Sequence, residues 1–113
     1  MPHCIVEYST DLLAELSAKE MIDATFQGAM HSTLFEAEQI KVRACGYDDF
    51  QVGTGENKFI HISAKLLSGR TLKQRQFLSQ QILDSLAKFN LANISITVDV
   101  IEMERESYAK QNS

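Results

Sequence analysis

Pro2, Lys41, Arg43 and Arg70 are the residues of this chain whose types could do chemistry together. Met1 stands before a small residue, so its removal is expected and would leave Pro2 as a secondary amine at the chain end. Free α-amino groups titrate near ~7.7–8.0. Burial and nearby cations both lower that value, toward the range that suits a base taking a proton beside a carbonyl. Taken alone this says little, because many chains begin Met-Pro and an ordinary exposed terminus is the plainer reading. Arg70 lies just before Thr71-Leu72-Lys73-Gln74, a capping box that starts a helix. The free N–H groups and dipole of a helix start favour an anion, and a guanidinium adds a fork that grips a carboxylate at two points. Arg70 is therefore a candidate carboxylate site, with a solvated arginine beside a turn as the blander alternative. No Ser-His-Asp arrangement or paired carboxylate is visible. His3, His31 and His61 have no metal spacing and read as surface or partly buried, so no metal site is expected.

Local patterns say which elements carry these residues. Residues 2–8 alternate as a strand, with Cys4, Val6 and Tyr8 on one face and His3, Ile5 and Glu7 on the other. A proline at the first position of a strand is tolerated because its missing N–H need not break a ladder. After a connection over 10–16, Ser17-Ala18-Lys19-Glu20 is a capping box, and Leu16 with Met21 forms its hydrophobic staple. A helix is expected over 18–32. A second strand is expected over 39–45, with Ile40, Val42 and Ala44 facing one way and Lys41, Arg43 and Cys45 the other. Residues 46–57 read as a loop or irregular hairpin whose Gly53-Thr54-Gly55 fits no phosphate-binding fingerprint. A third strand over 58–67 precedes the turn Ser68-Gly69-Arg70. The stripe Leu78, Ile82, Leu86 and Phe89 marks a second helix over 72–90, which Asn90 could end. A fourth strand covers 93–101, and the polar residues 102–113 form a tail that frays or lies on a neighbour.

The order is β-α-β twice over. A strand-helix-strand crossover makes its two strands parallel and is right-handed. Two such units side by side give an α/β (α+β) domain with one four-stranded mixed sheet and both helices on one face. The helices cover Ile40, Val42, Ile60, Ile62, Ile94 and Ile96. The other face carries Glu7, Lys41, Arg43, His61, Ser63, Lys65, Ser95, Thr97 and Asp99. That polar face suits either water or a wet interface between copies.

Composition removes several function classes. The 113 residues suit a single domain, and 44% apolar with 23% charged residues is ordinary for a globular protein. A net charge of −4 with scattered lysines and arginines argues against nucleic acid. The first residues lack the pattern of a signal peptide, no stretch is long enough to span a membrane, and a cytoplasmic protein is expected. Cys4 and Cys45 both fall in apolar stretches and read as buried, reduced thiols.

Pro2, the doubled β-α-β order and Arg70 together resemble the tautomerase superfamily, and within it the 5-carboxymethyl-2-hydroxymuconate delta-isomerase family. The resemblance runs over most of the chain. It is clearest in Met-Pro-His-Cys-Ile-Val-Glu at the start, Ile40-Lys41-Val42-Arg43, Phe59-Ile60-His61, and Leu67-Ser68-Gly69-Arg70-Thr71 with Arg75-Gln76. It implies a homotrimer whose three sheets wrap into a barrel, with sites near the subunit interfaces. It also implies a cofactor-free proton shift in an unsaturated 2-hydroxy/2-oxo acid. Pro2 would be the base, and Arg70 would hold a carboxylate and stabilise enolate charge. Arg43 and Lys41 would orient the other acid groups of a small carboxylate substrate, and Phe50 or Phe59 would wall the site. The family tends to have arginine where this chain has Lys41, and lysine keeps the charge without the two-point fork. Two other functions fit the same pattern. One is a proline-based enzyme acting on another enol or a halogenated acid, and the other is a non-enzymatic ferredoxin-like assembly module.

Overall fold

The computed structural model describes residues 1–113. Four strands, β1 (His3–Ser9), β2 (Lys41–Tyr47), β3 (Lys58–Leu67) and β4 (Ile94–Met103), form one sheet in the order β2-β1-β3-β4. β1 pairs parallel with β2 and antiparallel with β3, and β3 pairs parallel with β4. Helices α1 (Ala18–His31) and α2 (Leu72–Ala87) make the two crossovers and pack on one sheet face. This is the mixed four-stranded sheet with two helices that the doubled pattern predicts.

The helices start where their side chains say they should. Ser17 and Thr71 each accept from the backbone N–H three residues on, and Glu20 and Gln74 each accept from the cap's own N–H. Both boxes are therefore closed, each satisfying two backbone donors that a helix start leaves free. The staple residues Leu16 and Met21 are buried behind the first box. On α2, Leu78, Ile82 and Leu86 recur at every fourth position and are fully buried against Val6, Ile60, Ile62 and Leu66 of the sheet. Each such side chain contributes about 1.5–3 kcal/mol through its removal from water. Gly28 lets α1 meet α2 closely, since a Cβ there would lie 2.6 Å from the Ile82 Cα.

Several boundaries differ from the sequence reading. The connection after β1 contains a 3-10 turn, Thr10–Ala14. β2 begins and ends two residues later than expected, because Ala37–Gln39 forms another 3-10 turn before it. α2 stops at Ala87; Asn90, at φ 51°, closes the turn beyond it with its N–H on the Ala87 carbonyl. β4 runs two residues further, to Met103, since β3 offers partners as far as Leu67. Cys4 is buried as expected, but Cys45 is exposed. Strand alternation puts Cys45 with Lys41 and Arg43 on the face away from the helices, where nothing in the chain covers it. No helix is long and apolar enough to cross a membrane.

Candidate active site

Pairing of β1 against β3 brings the two candidate catalytic residues to one end of the sheet. His3 is opposite Lys65, so the start of β1 meets the end of β3, and Arg70 follows three residues after that end. Gly69 makes the bend possible: its φ of 124° is a conformation that residues with a Cβ rarely adopt. Arg70 then turns back over the segment joining α1 to β2. Its Nη2 donates to the Leu34 carbonyl at 3.1 Å, and its guanidinium carbon stands 5.7 Å from the Phe35 ring centroid. Arg75 Nε donates to the Arg70 carbonyl at 3.4 Å and its guanidinium approaches Glu102 at 3.8 Å, tying the turn to α2 and β4.

A cavity of about 250 Å³ opens at this end. Met1, Phe35, Leu66 and Leu67 supply its apolar wall. Arg70, Arg105 and Lys110 bring three cationic side chains to it, and no carboxylate side chain lines it. Pro2, next in the chain, is fully buried, and its carbonyl accepts from the Lys41 N–H at 3.0 Å. The Met1 amine is lowered from 8.0 to about 6, first by burial, then by a hydrogen bond and charge from Lys41 and by the charge of Lys110. The end of the chain thus lies in surroundings that favour a neutral amine.

The remaining expected site residues divide between the two ends of the sheet. Lys41 and Arg43 stand beside the start of β1, opposite His3 and Ile5. Neither lines the cavity: the Lys41 Nζ donates to the Gln39 carbonyl at 3.3 Å, and Arg43 Nη1 lies 3.4 Å from His3 Nδ1. Phe50 and Phe59 lie at the other end. The Phe59 N–H donates to the hydroxyl of Ser9, the last residue of β1, and the Phe59 and Phe50 rings are 5.6 Å apart. At about 3.4 Å per residue, a seven-residue strand separates them from Pro2 by roughly 20 Å. Within one chain the aromatic wall of the cavity is therefore Phe35, together with Tyr108, and not Phe50 or Phe59.

Arg105, Tyr108 and Lys110 were hidden in a segment that read as a polar tail. Instead of leaving the domain, this segment turns back over the end of β3. Arg105 donates through both Nε and Nη2 to the Ser68 carbonyl, at 3.2 and 2.9 Å, and the Tyr108 hydroxyl lies 2.9 Å from His3 Nε2. The available signal was one aromatic residue in an otherwise polar stretch, since a tyrosine buries its ring where its hydroxyl has a partner. Cys4 stays apart from the cavity. Burial raises the Cys4 thiol to about 11 and keeps it protonated, and no group of three or more His, Cys, Asp or Glu is placed to hold a metal.

The family model for 5-carboxymethyl-2-hydroxymuconate isomerase matches residues 2–113. The chain belongs to that family. It is an isomerase with the tautomerase fold. A 5-carboxymethyl-2-hydroxymuconate isomerase from Deinococcus radiodurans R1 superposes with a TM-score of 0.82 at 17% identity, over 99% of this chain and 90% of that one. A 5-carboxymethyl-2-hydroxymuconate delta-isomerase gives 0.78 at 15% identity, over 100% and 89% of the two chains. A fused 4-OT protein, an asymmetric trimer, gives 0.78 at 15% identity, over 96% and 91%. At these identities the solved structures speak to the fold. No curated protein matches the sequence.

Proposed function

We propose that this isomerase is a tautomerase that moves a proton within an unsaturated 2-hydroxy/2-oxo di- or tricarboxylate, such as 5-carboxymethyl-2-hydroxymuconate, with Pro2 as its base. The observation that carries the reading is the shared cavity of Met1 and Arg70, ringed by cations and free of carboxylates. Removing Met1 would do two things at once. It would convert the Pro2 nitrogen from an amide to a basic amine, and it would vacate part of the cavity for substrate. The burial and lysines that hold down the Met1 amine act in the same direction on an amine one residue further in.

The reaction balances without an outside reagent. The neutral Pro2 amine takes the proton of the 2-hydroxyl. The oxygen's electron pair forms the C2 carbonyl as the conjugated double bonds shift, and the protonated amine returns the proton to a carbon of the chain. The base ends as it began, so no cofactor is required. Arg70 holds a carboxylate and stabilises charge on the enolate oxygen. Lys41 and Arg43 serve the other acid groups from the rim. Their open sheet face, and the distance of Phe50 and Phe59 from Pro2, favour a homotrimer in which a neighbouring subunit's aromatic end completes each site. The fused 4-OT neighbour with the same fold is a trimer.

The test joins intact mass spectrometry with an assay. Protein whose mass shows loss of Met1 should ketonise the carboxymethyl muconate faster than simple enols such as phenylpyruvate. Equal, feeble rates on all of them would sink the substrate assignment. A retained Met1 with full tolerance of Pro2→Ala and Arg70→Ala would point to the non-enzymatic module instead.

A further inference from the structure

The His3 ring is held between two partners of unequal chemistry. On one side Arg43 Nη1 stands 3.4 Å from Nδ1, and on the other the Tyr108 hydroxyl stands 2.9 Å from Nε2. A guanidinium can only donate, whereas a phenol can donate or accept. Nδ1 must therefore accept from Arg43. In a neutral imidazole the single proton then sits on Nε2, and Nε2–H donates to the Tyr108 oxygen. The Tyr108 O–H is left without a partner in His3, on a residue that lines the cavity with Met1 and Arg70. We infer that Tyr108 is a substrate-binding hydrogen-bond donor of this active site, with Arg43 and His3 as the positioning residues that turn its hydroxyl proton toward the substrate.

This rests on the reading of the cavity as a tautomerase site and adds a second donor to it. Three features support the assignment. The Tyr108 ring is fixed before substrate arrives: the Arg105 fork on the Ser68 carbonyl anchors the segment, and the ring packs edge-on to His3 with centroids 6.2 Å apart. A donor already in place costs no reorganisation during the reaction. The imidazole is kept neutral, as the proton count requires, by burial first and then by the charges of Arg43, Lys41, the chain's amino terminus and Lys65. The third feature is the contrast with the rest of the wall. Arg70, Arg105 and Lys110 are permanent cations suited to permanent carboxylates. A neutral hydroxyl suits the 2-oxygen, which is uncharged in substrate and in product and carries charge only between them. An interaction strongest at that stage raises kcat and leaves KM nearly unchanged.

The same argument gives Arg43 a role besides gripping substrate. Its Nη1 is engaged by His3, and through that contact its effect on the reaction also passes through the imidazole to the phenol. Lys65, paired with His3 across the sheet, adds charge but no hydrogen bond to the ring.

The experiment uses full-length protein freed of Met1 and carboxymethyl muconate as substrate. Tyr108→Phe keeps the ring and removes the hydroxyl. It should lower kcat about 100-fold with KM within a few-fold of wild type, the scale of losing one oxyanion donor. Arg43→Leu should lower kcat by a smaller factor. In wild-type protein, nitrogen-15 NMR of the His3 ring should show the proton on Nε2, and in Arg43→Leu a mixture of the two tautomers. Three results would overturn the inference: Tyr108→Phe within twofold of wild type, a change confined to KM, or an Nδ1–H tautomer in the wild type. Activity lost in Pro2→Ala but kept in Tyr108→Phe would overturn this inference alone. A wild-type protein inactive on every enol would overturn the tautomerase reading and this one with it.

Discussion

The two ends of the sheet are built from the same parts and have opposite characters. β1 runs from the cavity to the aromatic end and feeds the capping box of α1 there. β3 runs the other way and feeds the capping box of α2 beside the cavity. At the aromatic end the box at Ser17 is preceded by Glu15, which pairs with Lys58 at 3.4 Å. The cluster of Tyr47, Phe50 and Phe59 lies close by, with the Tyr47 hydroxyl donating to the Glu7 carboxylate. At the cavity end the box at Thr71 is preceded by Arg70, and the charged side chains lining the cavity are all cations. Equal helix starts thus serve unequal purposes. One closes a helix, and the other closes a helix and holds an arginine at a cavity where the dipole also favours an anion.

The predictions test that contrast, beginning with the largest effect. Pro2→Ala and Arg70→Ala, both at the cavity end, should each lower turnover by roughly 100-fold or more, the scale of a lost acid–base or oxyanion group. Rates within a few-fold of wild type would remove the chemistry from this end. Phe50→Ala at the opposite end should lower kcat/KM about tenfold, the scale of lost apolar contact with a substrate. If a neighbouring subunit receives that ring, mixed trimers of Pro2→Ala and Phe50→Ala protomers should be more active than either parent. No gain on mixing would mean that the two ends never meet.

Smaller effects separate helix closure from site building. Ser17→Ala and Thr71→Ala should each cost about 1 kcal/mol of stability, measured by urea unfolding. Only Thr71→Ala should also weaken substrate binding, because only that box abuts Arg70. The smallest effect is a pH dependence. His3 has its folded pKa lowered, so the neutral ring is the form the fold favours. Its contribution is fully present above the ordinary value of 6.5 and is lost as pH falls through the lower folded value. The stability lost between pH 7 and pH 5 should therefore be smaller in His3→Gln than in wild type. The two proteins losing stability in parallel would remove His3 from that linkage.

Much of this architecture could be read directly from the chain. Alternation over β1 and β3, four-residue spacing on α2, both capping boxes and the staple at Leu16 and Met21 all depend on residues a few positions apart. Such interactions act on nearly any chain that carries them. Arg70 was legible as a candidate for the same reason, since its place before Thr71 is local. Pro2 was legible only as a possibility. Its proximity to Arg70 depends on β1 pairing against β3 across more than sixty residues, and it was the doubled pattern that implied such pairing.

What only the tertiary structure decided involves long-range contacts made by polar or amphipathic side chains, which no periodicity announces. The Tyr108–His3 bond spans 105 positions. The docking of Arg105 on Ser68 depends on where β3 and β4 happen to end together, and it turns a polar tail into a wall of the cavity. Cys45 is exposed because one face of the sheet is left uncovered, a property of the layers that the apolar run around the residue does not reveal. Phe50 and Phe59 are apart from Pro2 because an antiparallel pair reverses direction. The sequence by itself determined the elements and their caps, and it named Pro2 and Arg70 as candidates. The fold decided which residues share a cavity, because only strand register and chain return bring distant polar groups within hydrogen-bonding reach.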